Sequence, residues 1–208
     1  MRQRSLSLIA VLTLLTGCIP AEQRTAHFEQ KWPASGIGEL EVTEVNGTVT
    51  VQGDSPDAIT MVANVRARGV RPDPKKPYDG YMSADLGGNT LSIRSRNSHQ
   101  HGFFFGFGED VRIDYDIHVP PQVALQLVTV NGRIVTHGIS GETNAKTVNG
   151  AVDLEATGSN EVSAKTVNGR IEAKFLHDFH GAKLGTVNGR VTCALPAAAS
   201  FFGDFTQV

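Results

Sequence analysis

The stretch AKTVNGAVDL, residues 145–154, contains a tripeptide that the chain uses five times. Val-Asn-Gly occurs at 45–47, 130–132, 148–150, 167–169 and 187–189, so Asn46-Gly47, Asn131-Gly132, Asn149-Gly150, Asn168-Gly169 and Asn188-Gly189 are equivalent positions. The last four asparagines are 18, 19 and 20 residues apart, and Asn46 lies 85 residues upstream of Asn131. A period near 20 residues is the spacing of a repeated supersecondary unit. Each late unit carries a second turn signal, at 138–141, at Gly158 or at Gly181. The repetition signifies either a repeated binding site or a repeated corner.

Parity along the strands between these turns separates two faces. Leu125, Leu127 and Thr129 precede one corner, and Ile134 and Thr136 follow it. The next units give Ala145 and Thr147 with Val152 and Leu154, then Val162, Ala164 and Thr166 with Ile171, Ala173 and Phe175. The last gives Ala182, Leu184 and Thr186 with Val191, Cys193 and Leu195. Lys, Asp, Glu and Arg hold the opposite parity. Upstream, Leu40, Val42, Val49 and Val51 alternate in the same way, as do Ile59, Met61, Ala63 and Val65, and Ile113, Tyr115, Ile117 and Val119. Residues 69–82 hold three prolines and several charges and read as an exposed loop. No window shows a helical apolar stripe, so the fold class is all-β with very little helix.

Two geometries satisfy these local signals. Asn-Gly between apolar strands is a strong hairpin signal, because a type I′ turn needs positive φ at both positions. In stacked hairpins or a meander, Thr147 faces Val152 and Lys146 faces Asp153, each charge pair worth a few tenths of a kcal/mol. In a β-solenoid, Asn-Gly is a corner, the asparagines stack as ladders, and Lys146 and Lys165 become neighbours. Local pairing leans slightly to hairpins.

The N-terminus addresses the compartment. Arg2 and Arg4 precede the apolar run LIAVLTLL (8–15), which is too short to span a bilayer comfortably, and Leu15-Thr16-Gly17-Cys18 follows. This arrangement resembles the lipobox of bacterial lipoproteins. The resemblance implies a signal peptide over 1–17, lipid on the Cys18 sulfur and an acylated new amino terminus. Several acyl chains anchor firmly where one does not. Ile19, where an inner-membrane retention signal would have Asp, implies transport to the outer membrane in a Gram-negative envelope. Residues 18–35 read as a polar tether and 36–208 as the β-repeat domain.

The repeated TVNG corners, with VRIDYDIHVPPQVALQLVTVNG (111–132) and SGIGELEVTEVNGTVTVQG (35–53), resemble the bacterial DUF4097 family of adhesin-like proteins. The resemblance covers about residue 28 to the end. It implies a right-handed β-helix, and the fold expectation is therefore a β-solenoid, with stacked hairpins as the alternative. Continuing the period places a further corner at 209, one residue beyond Val208, which implies an exposed or frayed end strand.

Chemistry is sparse. The formal charge of −2 becomes −4 once residues 1–17, with two arginines and no acid, are removed, which argues against nucleic acid. Asp110, Asp114 and Asp116 share parity with Arg112 and His118 and read as a solvated strand face. His99 with His101, and His177 with His180, lack the companions that a metal site needs. Asn46-Gly47-Thr48 has the form of a glycosylation sequon without meaning in a bacterial lipoprotein. No nucleophile elbow, zinc-protease signature or phosphate loop occurs. The reading assigns no catalytic residue, no metal and no cofactor. With Cys18 lipidated, Cys193 has no disulfide partner and reads as a small core residue. Phe103, Phe104, Phe105 and Phe107, interleaved with glycine, form either a flap over the β-core or an exposed patch for a protein, glycan or membrane partner. The functional expectation is a lipid-anchored, non-enzymatic envelope protein with an interaction surface. The alternatives are a carbohydrate-binding or adhesive surface protein and, less favoured, a β-helix polysaccharide-active enzyme.

Overall fold

Period-two alternation produces strands throughout the computed structural model, which describes residues 23–68, 81–95, 111–158, 161–177 and 179–200. No helix occurs among the described residues, and hence none that could cross a membrane. The first part contains β1 (Gln23–Pro33), β2 (Glu39–Asn46), β3 (Val49–Gln52), β4 (Ala58–Arg68), β5 (Met82–Gly87), β6 (Thr90–Ser95) and β7 (Val111–His118). The repeats supply β8 (Ala124–Asn131), β9 (Ile134–Ile139), β10 (Thr143–Lys146), β11 (Val152–Ala156), β12 (Val162–Asn168), β13 (Ile171–Phe175), β14 (Ala182–Asn188) and β15 (Val191–Ala194).

These strands form two mixed sheets. One runs β1-β4-β7-β3-β9-β11-β13-β15 and the other β14-β12-β10-β8-β2-β6-β5. From β8 onward, successive strands alternate between the sheets, and each pairs in parallel with the strand two elements away. The strands flanking each Asn-Gly therefore lie in different sheets and are not partners. This corrects the hairpin alternative: β10 lies beside β8 and β12, and β11 beside β9 and β13. Antiparallel pairing is confined to the first part, in β1 with β4, β4 with β7 and β5 with β6.

The core lies between the sheets and contains the residues that parity placed inward. Leu40, Val42, Leu125, Leu127, Ala145 and Ala164 from one sheet, and Val49, Val51, Ile134, Val152, Ile171 and Ala173 from the other, are all buried. Burying each large aliphatic side chain contributes about 1.5–3 kcal/mol, so rungs too short to fold alone stabilise one another by stacking. One irregularity occurs in β9. Leu154 pairs with Thr136 but Ala156 with Ile139, and Gly138 accommodates the bulge at φ 68°, a left-handed conformation that glycine adopts cheaply.

Two boundaries and one burial assignment differ from the sequence reading. The tether over 18–35 contains β1, which pairs with β4 along its whole length and buries Phe28 and Trp32. Its alternation is masked in sequence because Gln30 shares the inward parity and Pro33 ends the run. The loop over 69–82 ends earlier, since Tyr81 and Met82 are buried and Met82 opens β5. Cys193 has the inward parity but is exposed, because β15 ends its sheet among the described residues. Partial burial against the neighbouring rung still pushes its thiol above the ordinary range. The signal peptide, Cys18, His99, His101, Asp110, the four phenylalanines of 103–107 and Val208 lie outside the described residues.

Candidate functional site

The five Val-Asn-Gly corners stack into one edge of the molecule, where the chain passes from one sheet to the other. Their side chains form a continuous amide ladder. Asn131 Nδ2 donates to Asn46 Oδ1 at 3.0 Å, Asn149 to Asn131 at 2.9 Å, Asn168 to Asn149 at 2.8 Å and Asn188 to Asn168 at 2.9 Å. The Asn46 amide ends the series on the Val111 carbonyl at 3.5 Å. Backbone bonds run beside it: the Asn149 amide donates to the Val130 carbonyl and the Asn168 amide to that of Val148, both at 2.8 Å.

The glycines are required for a different reason from the one a hairpin supplies. Gly132, Gly150, Gly169 and Gly189 do not have positive φ. A Cβ on Gly150 would instead lie 1.9 Å from the Gly132 carbonyl oxygen, and one on Gly169 equally close to that of Gly150. Close backbone approach between rungs excludes any side chain there. The threonines before the corners tie the same carbonyls. Thr147, Thr166 and Thr186 hydroxyls donate to the oxygens of Gly132, Gly150 and Gly169 at 3.1–3.2 Å.

The first rung has Glu44 where the others have threonine, in register with Thr129. Glu44 is only 2% exposed. Burial pushes its carboxyl up to about 7. The Asn46 backbone N–H, which donates to Oε1 at 2.9 Å, and the hydroxyls of Ser95 and Tyr115 pull the other way without offsetting the burial. Sequence reasoning missed Glu44, although a signal was present: a carboxylate on the inward parity of Leu40 and Val42. Thr129 also departs from its series, with a buried hydroxyl that has no hydrogen-bond partner among the described residues.

Outward columns flank the ladder. Val130, Val148 and Val167 are 38–40% exposed and Val187 is 65% exposed, giving an apolar row beside the amides. The next column over contains Lys146 in register with Lys165. On the other side of the corner stand Arg133, Arg170 and Arg190, each following a corner glycine. Arg133 pairs with Asp153, and Arg170 reaches the same carboxylate at 3.4 Å.

The remaining candidates are dispersed. On β7, burial raises the Asp114 carboxyl, but Arg112, the Thr48 backbone N–H at 2.9 Å and Arg66 outweigh it and hold the carboxyl below its usual range. His118 lies 2.7 Å from Asp54, with Gln52 bridging to Asp116 at 2.9 Å. His177 and His180 are exposed, and no group of three His, Cys, Asp or Glu residues suited to a metal occurs among the described residues. A shallow depression lined by Ala34, Ile37, Pro56, Asp57, Pro120 and Gln122 brings a single carboxylate to its wall.

These features define an all-β repeat protein built of two mixed sheets, with its repeats joined at one laddered edge. Its fold is shared with a solved "putative cell adhesion protein" from Clostridium sporogenes, at a TM-score of 0.58 and 8% identity, covering 82% of this chain and 99% of that one. A "putative adhesin" from Bacteroides fragilis is also similar, at a TM-score of 0.29 and 10% identity, covering 81% of this chain and 96% of that one. No family model matches the chain, and no curated protein matches it in sequence.

Proposed function

We propose that this chain is a lipid-anchored, non-enzymatic protein of the bacterial cell envelope, adhesin-like in architecture. In this reading the two sheets wind as a right-handed β-solenoid of the DUF4097 type, and Cys18 carries the lipid. The observation that supports it best is the unbroken ladder from Asn46 to Asn188. The recurring asparagine amides and corner glycines are engaged in holding one rung to the next, while the charged residues that vary between rungs face outward. A scaffold that repeats its corners and varies its surface is suited to presenting that surface to a partner. The outward acids Asp114 and Asp153 are held by arginines, an arrangement that suits ion pairing better than acid–base chemistry.

Membrane fractionation and labelling with a palmitate analogue test the anchor. The intact chain is expected in the membrane fraction carrying label, and Cys18→Ser is expected to lose both. Unchanged membrane association of Cys18→Ser would overturn the anchor.

A further inference from the structure

We propose that the laddered edge binds a linear acidic polysaccharide along its length. The inference deepens the envelope-interaction reading above by giving the partner a chemical class.

The corner gathers positive charge on a chain with more acids than bases, 21 against 19. Lys146, Lys165, Arg133, Arg170 and Arg190 stand in the columns beside the ladder, and all five are exposed. The acids next to them on the Arg side are Asp153 and Glu172, and Asp153 is shared by Arg133 and Arg170. Lys146 and Lys165 are direct neighbours across parallel strands, and neither has an ion-pair partner among the described residues. Arg190 likewise has none there. Like charges set directly opposite one another destabilise a sheet. A polyanion lying along the edge would relieve that repulsion. A second copy of the same edge would add to it.

The uncharged part of the edge narrows the class further. Asn131, Asn149 and Asn168 each use one N–H and one oxygen lone pair on their neighbours and keep a second of each, while Asn188 uses only one N–H; all four are exposed. Val130, Val148, Val167 and Val187 run alongside. Cations for carboxylates, amides for hydroxyls and an apolar row for the C–H face of pyranose rings occur together. The amides and valines repeat at the strand spacing of about 4.8 Å, close to the advance of an extended sugar chain per residue, while the cations occupy some rungs only, with Val128 and Gly185 in the lysine column and Ala151 in the arginine column. Among the described residues, the ladder and the columns beside it contain no aromatic side chain for stacking a nucleobase.

The test uses the full-length protein in non-ionic detergent, with affinity electrophoresis through gels containing polygalacturonate, neutral dextran or duplex DNA. Retardation by polygalacturonate is expected, weakening as salt rises, with none by dextran. The triple variant Lys146→Gln/Lys165→Gln/Arg190→Gln is expected to bind at least about tenfold more weakly. Lys174→Gln/Lys183→Gln, which removes cations held by Glu155 and Glu161 away from the edge, is expected to bind like the parent. Circular dichroism reports whether each variant keeps its strands. Full binding by the triple variant overturns the proposal, as does equal binding of dextran or duplex DNA. Cys18→Ser is expected to keep polygalacturonate binding. Loss of glycan binding with intact membrane association therefore sinks this inference alone, and the reverse result sinks only the anchor.

Discussion

Asn149 donates its side-chain amide to Asn131, 18 residues earlier, at 2.9 Å and accepts from Asn168, 19 residues later, at 2.8 Å. An interior ladder asparagine thus serves as donor and acceptor to two other rungs at once. Asn149→Ala removes both bonds and leaves its neighbours to water, at an expected cost of about 1–2 kcal/mol. Asn188→Ala removes only the bond to Asn168 and should cost less. Urea denaturation of the two variants checks the order. The double variant Asn149→Ala/Asn168→Ala should cost less than the sum of its parts, because the two share one bond.

Gly150→Ala places a methyl group 1.9 Å from the Gly132 carbonyl oxygen, a backbone atom with no freedom to move aside. The expected result is a loss of about 3 kcal/mol or more, or a failure to fold. Gly185→Ala, in the outward column of β14, meets nothing within 4 Å and should leave the midpoint of thermal unfolding within a few degrees of the parent. Comparable behaviour of the two variants would contradict the close-approach account of the corners.

Glu44 gives stability a pH dependence of known sign. Its folded-state pKa of about 7 is above the ordinary 4.5 of the unfolded chain. Between those values the folded chain retains a proton that the unfolded chain has released. Stability contributed by this group is thus complete below about pH 4.5 and declines as pH rises through 7, by up to about 3 kcal/mol. Glu44→Gln should flatten that slope in urea titrations between pH 4.5 and 7.5. An unchanged slope would show that the pH dependence originates elsewhere.

Ile171 and Val191 occupy one inward column in consecutive rungs. Ile171 is 1% exposed and Val191 is 40% exposed. Ile171→Ala should cost about 2–5 kcal/mol through lost burial and a cavity, and Val191→Ala well under half of that. Thermal unfolding monitored by circular dichroism distinguishes them. Equal costs would mean that the last described rung is covered in solution.

Much of this fold was legible in the chain because pleating is local. Alternation sent Leu125, Val152, Ala164 and Ile171 inward without reference to any distant residue, and the structure buries them. The same reasoning failed at Cys193, where parity is correct but burial depends on a covering strand. It also failed at β1, whose Phe28 and Trp32 are recognisable as core only once β4 is set beside them. Glu44 was visible as an inward acid, but its raised pKa comes from burial between the sheets, which only the tertiary structure supplies, against the opposing pull of Asn46, Ser95 and Tyr115. The basic edge was half visible: each Lys and Arg was plainly outward and a solenoid made Lys146 and Lys165 neighbours, yet local pairing leaned to hairpins, and only the parallel pairing of β10 with β12 decided between them.

AKTVNGAVDL shows the division clearly. The sequence by itself determined that Thr147 and Val152 face inward, that Lys146 and Asp153 face outward and that Asn149-Gly150 turns the chain, because these follow from pleat and local sterics. Tertiary structure decided what the turn joins. A hairpin and a corner place the same residues on the same faces and differ only in which strand receives the backbone hydrogen bonds. Here that strand lies one repeat away, in register with Lys165 and Val128, and the carbonyl of Gly132 rests against Gly150 where no side chain fits.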